Sequence, residues 1–375
     1  MRYFPIALAI FSMFFGAGNV VFPLLLGTLS GDQNIYATAG LLLTSIGGPL
    51  IGLFGSILFE GHFRAFYERA GKWLGYFFII VTTALLGPFA VMPRCFIVAY
   101  AAIQPFFPSL SLPLFSLIGG ILVLALTMKR HQVINLLGYI LSPLLLVALF
   151  IIIIKGCFFS GTVTHIEQPL VTSLMSGLST GYDTMDLIAA TYFSVSIWDM
   201  LKVKVHPSHV VSTTLISGTI AGLLLGIVYV GLSHTASLHI QELSSHPPET
   251  LLVTLSYLML GPYLGAIASL AVILACLTTV IGLALTFADI LRKDFISPKL
   301  SHGATLFILI ALTSLFSNLG FTQIMKIIHP AVSLCYPSII MLTLCNIGYK
   351  RWGWTAVKLP VWIVLLLTVT LSLIN

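Results

Sequence analysis

Two short stretches place glycines and a polar residue inside otherwise apolar surroundings. One is Phe14-Phe15-Gly16-Ala17-Gly18-Asn19, followed by Pro23; the other is Ser176-Gly177-Leu178-Ser179-Thr180-Gly181-Tyr182-Asp183. Glycine costs about 1 kcal/mol relative to alanine in a helix interior, so both are weak points where a backbone can open. An opened helix in lipid frees carbonyls and amides that hydrocarbon cannot satisfy, and a solute or ion can satisfy them instead. A half-helix N-terminus favours a carboxylate, while freed carbonyls favour an ammonium group or Na⁺. A zwitterionic amino acid suits both ends of such a site, although composition alone does not choose it. Taken singly, either motif also reads as close helix packing.

Asp183 and Asp186 add carboxylates to the second stretch. An aspartate central in a membrane helix costs about 2.5–3.5 kcal/mol on insertion scales, so each needs a cavity or a partner. Asp183 is open to substrate-amine binding, proton coupling or support of the unwound segment, and equally to capping a half-helix that restarts near Thr184. Asp186 is expected to support the site from behind. Ala275-Cys276-Leu277-Thr278-Thr279 sets adjacent hydroxyls in an apolar helix; they either bond back to preceding carbonyls or help to hold a hard cation such as Na⁺. Arg94, after Gly87-Pro88 and Pro93, is expected to reach a water-filled cavity. Lys326 is expected to snorkel from near a helix end. His329, before Pro330, reads as a proton relay or as an ordinary buried, hydrogen-bonded histidine. The five cysteines show no CxxC or Cys/His spacing and read as small hydrophobes.

The elements that must position these residues follow from composition. Of 375 residues 58% are apolar and 7% charged, with a mean hydropathy of +1.07. Soluble domains carry roughly 25% charged residues, so the bilayer is the expected solvent. Barrel strands alternate apolar and polar residues, and runs such as 144–154 do not, which leaves helices. Eleven spans are expected, at 4–27, 36–60, 73–103, 113–128, 133–156, 172–198, 210–234, 263–290, 301–318, 322–346 and 358–374. A shorter amphipathic stretch at 248–260 is expected to lie outside, where it could cap a cavity. The first span follows Arg2 as a signal peptide would, but it is long, lacks a cleavage site and is expected to stay in the mature chain.

Counting connections alternately, with the N-terminus inside, fourteen Lys and Arg residues fall inside and only Lys155 outside; Arg94 and Lys326 lie within spans. That asymmetry follows the positive-inside rule, puts the C-terminus outside, and accounts for the net charge of +6 without nucleic acid. The two glycine motifs lie five spans apart, so their helices enter the membrane from opposite sides. That is the arrangement of an inverted repeat, and matched interruptions point to a transporter's midplane site. The expected organisation is one membrane domain, 1–375, with repeats at 4–156 and 172–346 and an additional helix at 358–374. No span carries a nucleophile with an adjacent base or a metal-type cluster, so an enzyme is not expected; nor is a channel, for want of a repeated filter loop.

The chain resembles the bacterial branched-chain amino acid carriers, the LIV cation symporters of the amino acid-polyamine-organocation superfamily. Phe14-Phe15-Gly16-Ala17-Gly18-Asn19-Val20-Val21-Phe22-Pro23 is similar to their first-helix signature. Gly87-Pro88-Phe89-Ala90-Val91-Met92-Pro93-Arg94 resembles their third-helix motif, and Gly181-Tyr182-Asp183-Thr184-Met185-Asp186 their sixth. Ala275-Cys276-Leu277-Thr278-Thr279-Val280-Ile281-Gly282-Leu283 and Ser317-Asn318-Leu319-Gly320 also fit. The resemblance implies an all-α, LeuT-like five-plus-five inverted repeat with discontinuous first and sixth helices. It further implies symport of leucine, isoleucine or valine with Na⁺ across the bacterial cytoplasmic membrane, with no cofactor beyond the coupling ion. Carried over by position, Na⁺ ligands are the carbonyls of Ser12, Phe15 and Ala275 and the hydroxyls of Thr278 and Thr279. Substrate contacts fall at Gly16, Ala17, Gly18, Asn19, Gly181, Tyr182 and Asp183. Two departures stand out: family members usually show a twelfth helix, and they more commonly carry an apolar residue where this chain has Asp183. The alternative is proton-coupled transport of an amino acid or other small solute through Asp183.

Overall fold

The computed structural model describes residues 3–128, 142–158, 161–162, 164–291 and 301–374. The start of the expected fifth span, 133–141, and the basic clusters Lys129-Arg130 and 292–299 lie outside them. Among the described residues the secondary structure is helical. Helices such as Lys72–Ile103 and Pro207–Leu238 are long and apolar enough to cross a membrane. Their outer surfaces carry Leu117, Ile121, Leu223, Ile227, Leu366 and Leu367 exposed, as a chain solvated by lipid requires.

The first span is two helices, α1 (Phe4–Phe14) and α2 (Ala17–Ser30). The second runs from α3 (Asn34–Leu42) through a π-helical turn at Leu43–Gly47 into α4 (Gly48–Ile57). A short α5 (Phe63–Glu68) precedes the third span, α6 (Lys72–Leu86) and α7 (Val91–Ile103). Next come α8 (Leu112–Met128) and α9 (Ser142–Phe158), then the divided sixth span, α10 (Leu170–Asp183) and α11 (Asp186–Lys204). After these lie α12 (Pro207–Leu238), a one-turn α13 (Ile240–Leu243) and α14 (Leu251–Ile290), which Gly261 (φ 74°, ψ −177°) separates from its first ten residues. The chain then forms α15 (His302–Ser317), α16 (Phe321–Trp352) and α17 (Lys358–Ile374). The expected outer stretch 248–260 is thus a 3-10 turn at Pro248–Thr250 followed by the first ten residues of α14, packed inward through Leu251, Leu252 and Leu255.

Packing follows a two-fold pattern. α2 lies on α12 as α11 lies on α4, so exchanging spans one with six and two with seven maps one contact onto the other. The same exchange pairs α9 on α12 with α16 on α4, and carries α7 on α14 and α8 on α15 onto themselves. Alternate connections share an end of the bundle. At one end Arg69 stacks on the Tyr349 ring at 3.7 Å and the Lys350 amine sits 4.8 Å from the Phe59 ring centre. At the other, Asp32 pairs with His165 and accepts the Ile166 amide at 3.1 Å, while Gln33 donates to the Gln168 carbonyl at 2.6 Å.

The glycines of the sixth span do not open it. Gly177 and Gly181 are helical within α10 and press against α3. A Cβ on Gly177 would lie 1.8 Å from the Ala37 carbonyl oxygen, and one on Gly181 1.8 Å from the Thr44 hydroxyl. The Thr44 hydroxyl in turn donates to the Leu178 carbonyl at 3.0 Å. The packing reading therefore holds for these two residues. We expect Gly177→Val to destabilise the protein by at least the ~1–3 kcal/mol typical of overpacking, read as a lower unfolding midpoint in detergent. Gly282→Ala, with open space around it in mid-helix, should hold or raise the midpoint, since alanine is the better helix former by about 1 kcal/mol.

Candidate functional site

The first break falls where the glycine motif places it. Phe15 (φ −75°, ψ 102°) and Gly16 (φ −128°, ψ −168°) are extended, and α2 restarts at Ala17. The Gly16 amide, left without a helical partner, donates to the Asn19 side-chain oxygen at 2.9 Å. Ala17, Gly18 and Asn19 make the first turn of α2, whose amides point into the break.

The second break lies one step beyond the expected Gly181–Asp183. Those three residues close α10, and the chain turns at Thr184 and at Met185, which adopts a left-handed conformation (φ 62°, ψ 18°). That conformation costs a non-glycine residue roughly 1–2 kcal/mol, and the buried Met185 side chain holds it in place. Neighbouring spans satisfy the freed backbone. Arg94 donates from Nη1 to the Asp183 carbonyl at 2.7 Å, the Leu187 amide donates to the Tyr336 hydroxyl at 2.9 Å, and the Asp186 amide reaches the Thr184 hydroxyl at 3.4 Å.

Arg94 therefore does not open onto a water-filled space. It is 1% exposed and caps the C-terminal end of α10, where carbonyl dipoles favour a cation. Phe22 lies 5.3 Å away across its ring face, and Asp183 and Asp186 lie within its electrostatic reach. Its Nε has no partner among the described residues. Nor does Asp183 cap α11; its carboxylate bonds His329 Nδ1 at 2.8 Å.

The two breaks meet. A Cβ on Gly18 would lie 3.6 Å from the Thr184 carbonyl oxygen. The Asn19 amide donates to Asp186 Oδ2 at 2.7 Å and to the Tyr229 hydroxyl, which donates to the same carboxylate oxygen at 3.1 Å. All three side chains are buried. Sequence reasoning missed the roles of Tyr229 and Tyr336. The available signal was a tyrosine in mid-span, whose hydroxyl must find a partner when buried.

Beside the breaks, a cavity of about 480 Å³ is lined by Phe22, Leu25, Thr180, Asp183, Pro248, Phe321, Met325, Lys326 and His329. Lys326 thus faces this cavity, and His329 sits at its edge, half-exposed, with Ser333 3.3 Å from Nε2. The lining residues from α2, α10 and α16 place its mouth toward the end that carries Asp32 and His165. Toward the opposite end aromatic rings fill the interior. Tyr192 bonds Thr82 and Thr83 at 2.8 and 2.7 Å and packs against the rings of Phe63, tilted, and Phe287, edge-on, each 5.5 Å away. Tyr67 of α5 adds a bond to Thr191 at 2.8 Å.

The eighth span faces the first break. Thr278 and Thr279 donate to the Ala275 carbonyl at 2.7 and 2.9 Å, the back-bonding that threonine makes in any helix. These bonds also gather three oxygens. A Cβ on Gly16 would meet Thr279 at 3.4 Å, so only a small residue lets the first span come this near. Phe15 has non-helical backbone at that level, and Ser12 sits one turn earlier on α1. A hard cation fits such oxygen donors; among the described residues no His/Cys/Asp/Glu group offers a transition-metal site.

A family model described as branched-chain amino acid transport protein matches residues 2–375. The chain belongs to that family. A Staphylococcus aureus (strain MRSA252) protein named as a branched-chain amino acid carrier is 30% identical over 361 residues, covering 90% of this chain and 80% of that one. The fold of this family member is similar to the inward-facing structure of Mhp1, with TM-score 0.69, 14% identity and coverage of 98% of this chain and 89% of that one. It is also similar to the closed form of Mhp1, a nucleobase-cation-symport-1 family transporter, with TM-score 0.67, 13% identity and coverage of 98% and 91%. The fold is therefore the all-helical, LeuT-like transporter fold. Within it Arg94 has a checkable role: Arg94→Met should cost about 1.5–3 kcal/mol, the value of a hydrogen bond to a charged group, measured as a lower unfolding midpoint in detergent.

Proposed function

We propose that this protein imports leucine, isoleucine and valine together with Na⁺ by alternating access across the bacterial cytoplasmic membrane. The observation that carries the reading is the meeting of two oppositely directed helix breaks beside a cavity of about 480 Å³, within the usual range for small-molecule sites. The family match and the carrier name of the staphylococcal relative supply the substrate class. The substrate carboxylate would approach the first turn of α2 at Gly16, Ala17 and Gly18. Its ammonium group would meet carbonyls and Asp183 at the end of α10, near Gly181 and Tyr182, while Phe22, Phe321 and Met325 receive the branched side chain.

The repeats 4–156 and 172–346 would each contribute spans to the moving part, since spans two and six pack as one unit. With the lysine- and arginine-rich end inside, the N-terminus is cytoplasmic, the cavity opens outward and the cluster around Tyr192 closes the inner route. Na⁺ held by the carbonyls of Ser12, Phe15 and Ala275 and the hydroxyls of Thr278 and Thr279 would fasten the first break to the eighth span. Coupled one to one, a tenfold inward Na⁺ gradient supports about tenfold leucine accumulation. In proteoliposomes, replacing Na⁺ by choline should abolish that accumulation, and equal rates in both ions would exclude Na⁺ coupling. Thr278→Ala with Thr279→Ala should remove Na⁺ stimulation while the protein still inserts.

A second reading, proton coupling through Asp183, draws on its contact with His329, a residue type that titrates near neutrality. In that case a pH gradient drives uptake without Na⁺, and Asp183→Asn removes the dependence.

A further inference from the structure

Asp186 is a carboxylate that neither ion scheme uses. It is 3% exposed and forms the first residue of α11 at the break. The hydrogen bonds to its Oδ2 come from the Asn19 amide at 2.7 Å and the Tyr229 hydroxyl at 3.1 Å, both neutral donors. The charged and titratable groups facing it are Arg94 on α7, Tyr229 on α12, Tyr336 on α16 and Asp183 across the break. Arg94 gives its hydrogen bond to the Asp183 carbonyl, Tyr336 accepts from the Leu187 amide, and Asp183 is paired with His329. An ionised carboxylate removed from water and hydrogen-bonded only by neutral groups is costly, even with Arg94 nearby. Asp186 also lines none of the described cavities, so Na⁺, which needs both room and several oxygen ligands, fits it poorly. A proton needs no room.

We propose that Asp186 binds a transported proton and that this proton controls the contact between the two breaks. The ionised carboxylate accepts bonds from Asn19 of α2 and Tyr229 of α12, holding the first, sixth and seventh spans together. Protonation removes the negative charge that draws these donors in and frees the breaks to separate; release to the other side of the membrane restores the link. The proposal rests on the reading of the chain as an amino acid carrier and is independent of whether Na⁺ also binds.

The test uses full-length protein in proteoliposomes with equal Na⁺ on both sides and an entrapped pH dye. Leucine added outside should acidify the lumen of wild-type vesicles. In Asp186→Asn, acidification per leucine moved should be lost, while Asp199→Asn, an exposed carboxylate paired with Lys202, retains it. The proposal is overturned if Asp186→Asn acidifies like wild type, if Asp199→Asn loses acidification equally, or if wild type moves leucine without protons. Should leucine neither accumulate nor exchange under any gradient, the carrier reading falls and this proposal with it. A second measurement on unaltered protein guards against a variant that does not fold. Infrared difference spectra should show the C=O band of a buried protonated carboxyl growing as pH falls; no such band at any pH refutes proton binding.

Discussion

A backbone amide or carbonyl released inside hydrocarbon has no water to turn to, and each unsatisfied group costs several kcal/mol. The first and sixth spans of this protein are interrupted where they meet, and polar side chains of its interior are arranged around the groups those interruptions release. Asn19 serves the Gly16 amide, Tyr336 the Leu187 amide, Thr184 the Asp186 amide, and Arg94 the Asp183 carbonyl. Side chains from α2, α7 and α16 thus stand where a continuous helix would have used its own backbone. The same demand explains why a guanidinium is tolerated in the middle of a membrane protein.

The two ends of the first break have different partners. Gly16 lies against Thr279 and its neighbouring oxygens on the eighth span, whereas Asn19, one turn later, reaches Asp186 and Tyr229 on the sixth and seventh. A change at either contact is felt three residues away along one rigid half-helix. The cavity stands on a further side, bounded by Phe22 of the same half-helix and by Asp183. Three polar features therefore converge on fewer than ten residues of α2.

Much of this was legible in the sequence because membrane helices are long, continuous and apolar, so departures from that pattern stand out. The inverted pairing followed from the odd offset of five spans from one glycine motif to the other, and the first break fell at Gly16 as its neighbours suggested. The sixth break did not fall at its glycines. A small residue reports only that something comes close, and at Gly177 and Gly181 the close neighbour is α3. The bend passes instead to Met185, a residue type with no preference for a left-handed backbone, so composition gave no warning. Arg94, Tyr229 and Tyr336 were hidden for a related reason: their roles depend on partners more than forty residues away, which no local spacing encodes. The Thr278-Thr279 pair stayed ambiguous because its two readings share one geometry.

The fit between α3 and α10 carries a mechanical corollary. With Ala37 and Thr44 lodged in the notches left by Gly177 and Gly181, and Gly40 fitting as closely against the Leu174 carbonyl, the two rods cannot slide or roll past one another. They form a single strut. The π-helical turn at Leu43–Gly47 ends one rod and the Thr184–Met185 bend ends the other, so both joints of that strut lie at one level. Spans two and six must therefore swing as a pair about a common transverse axis.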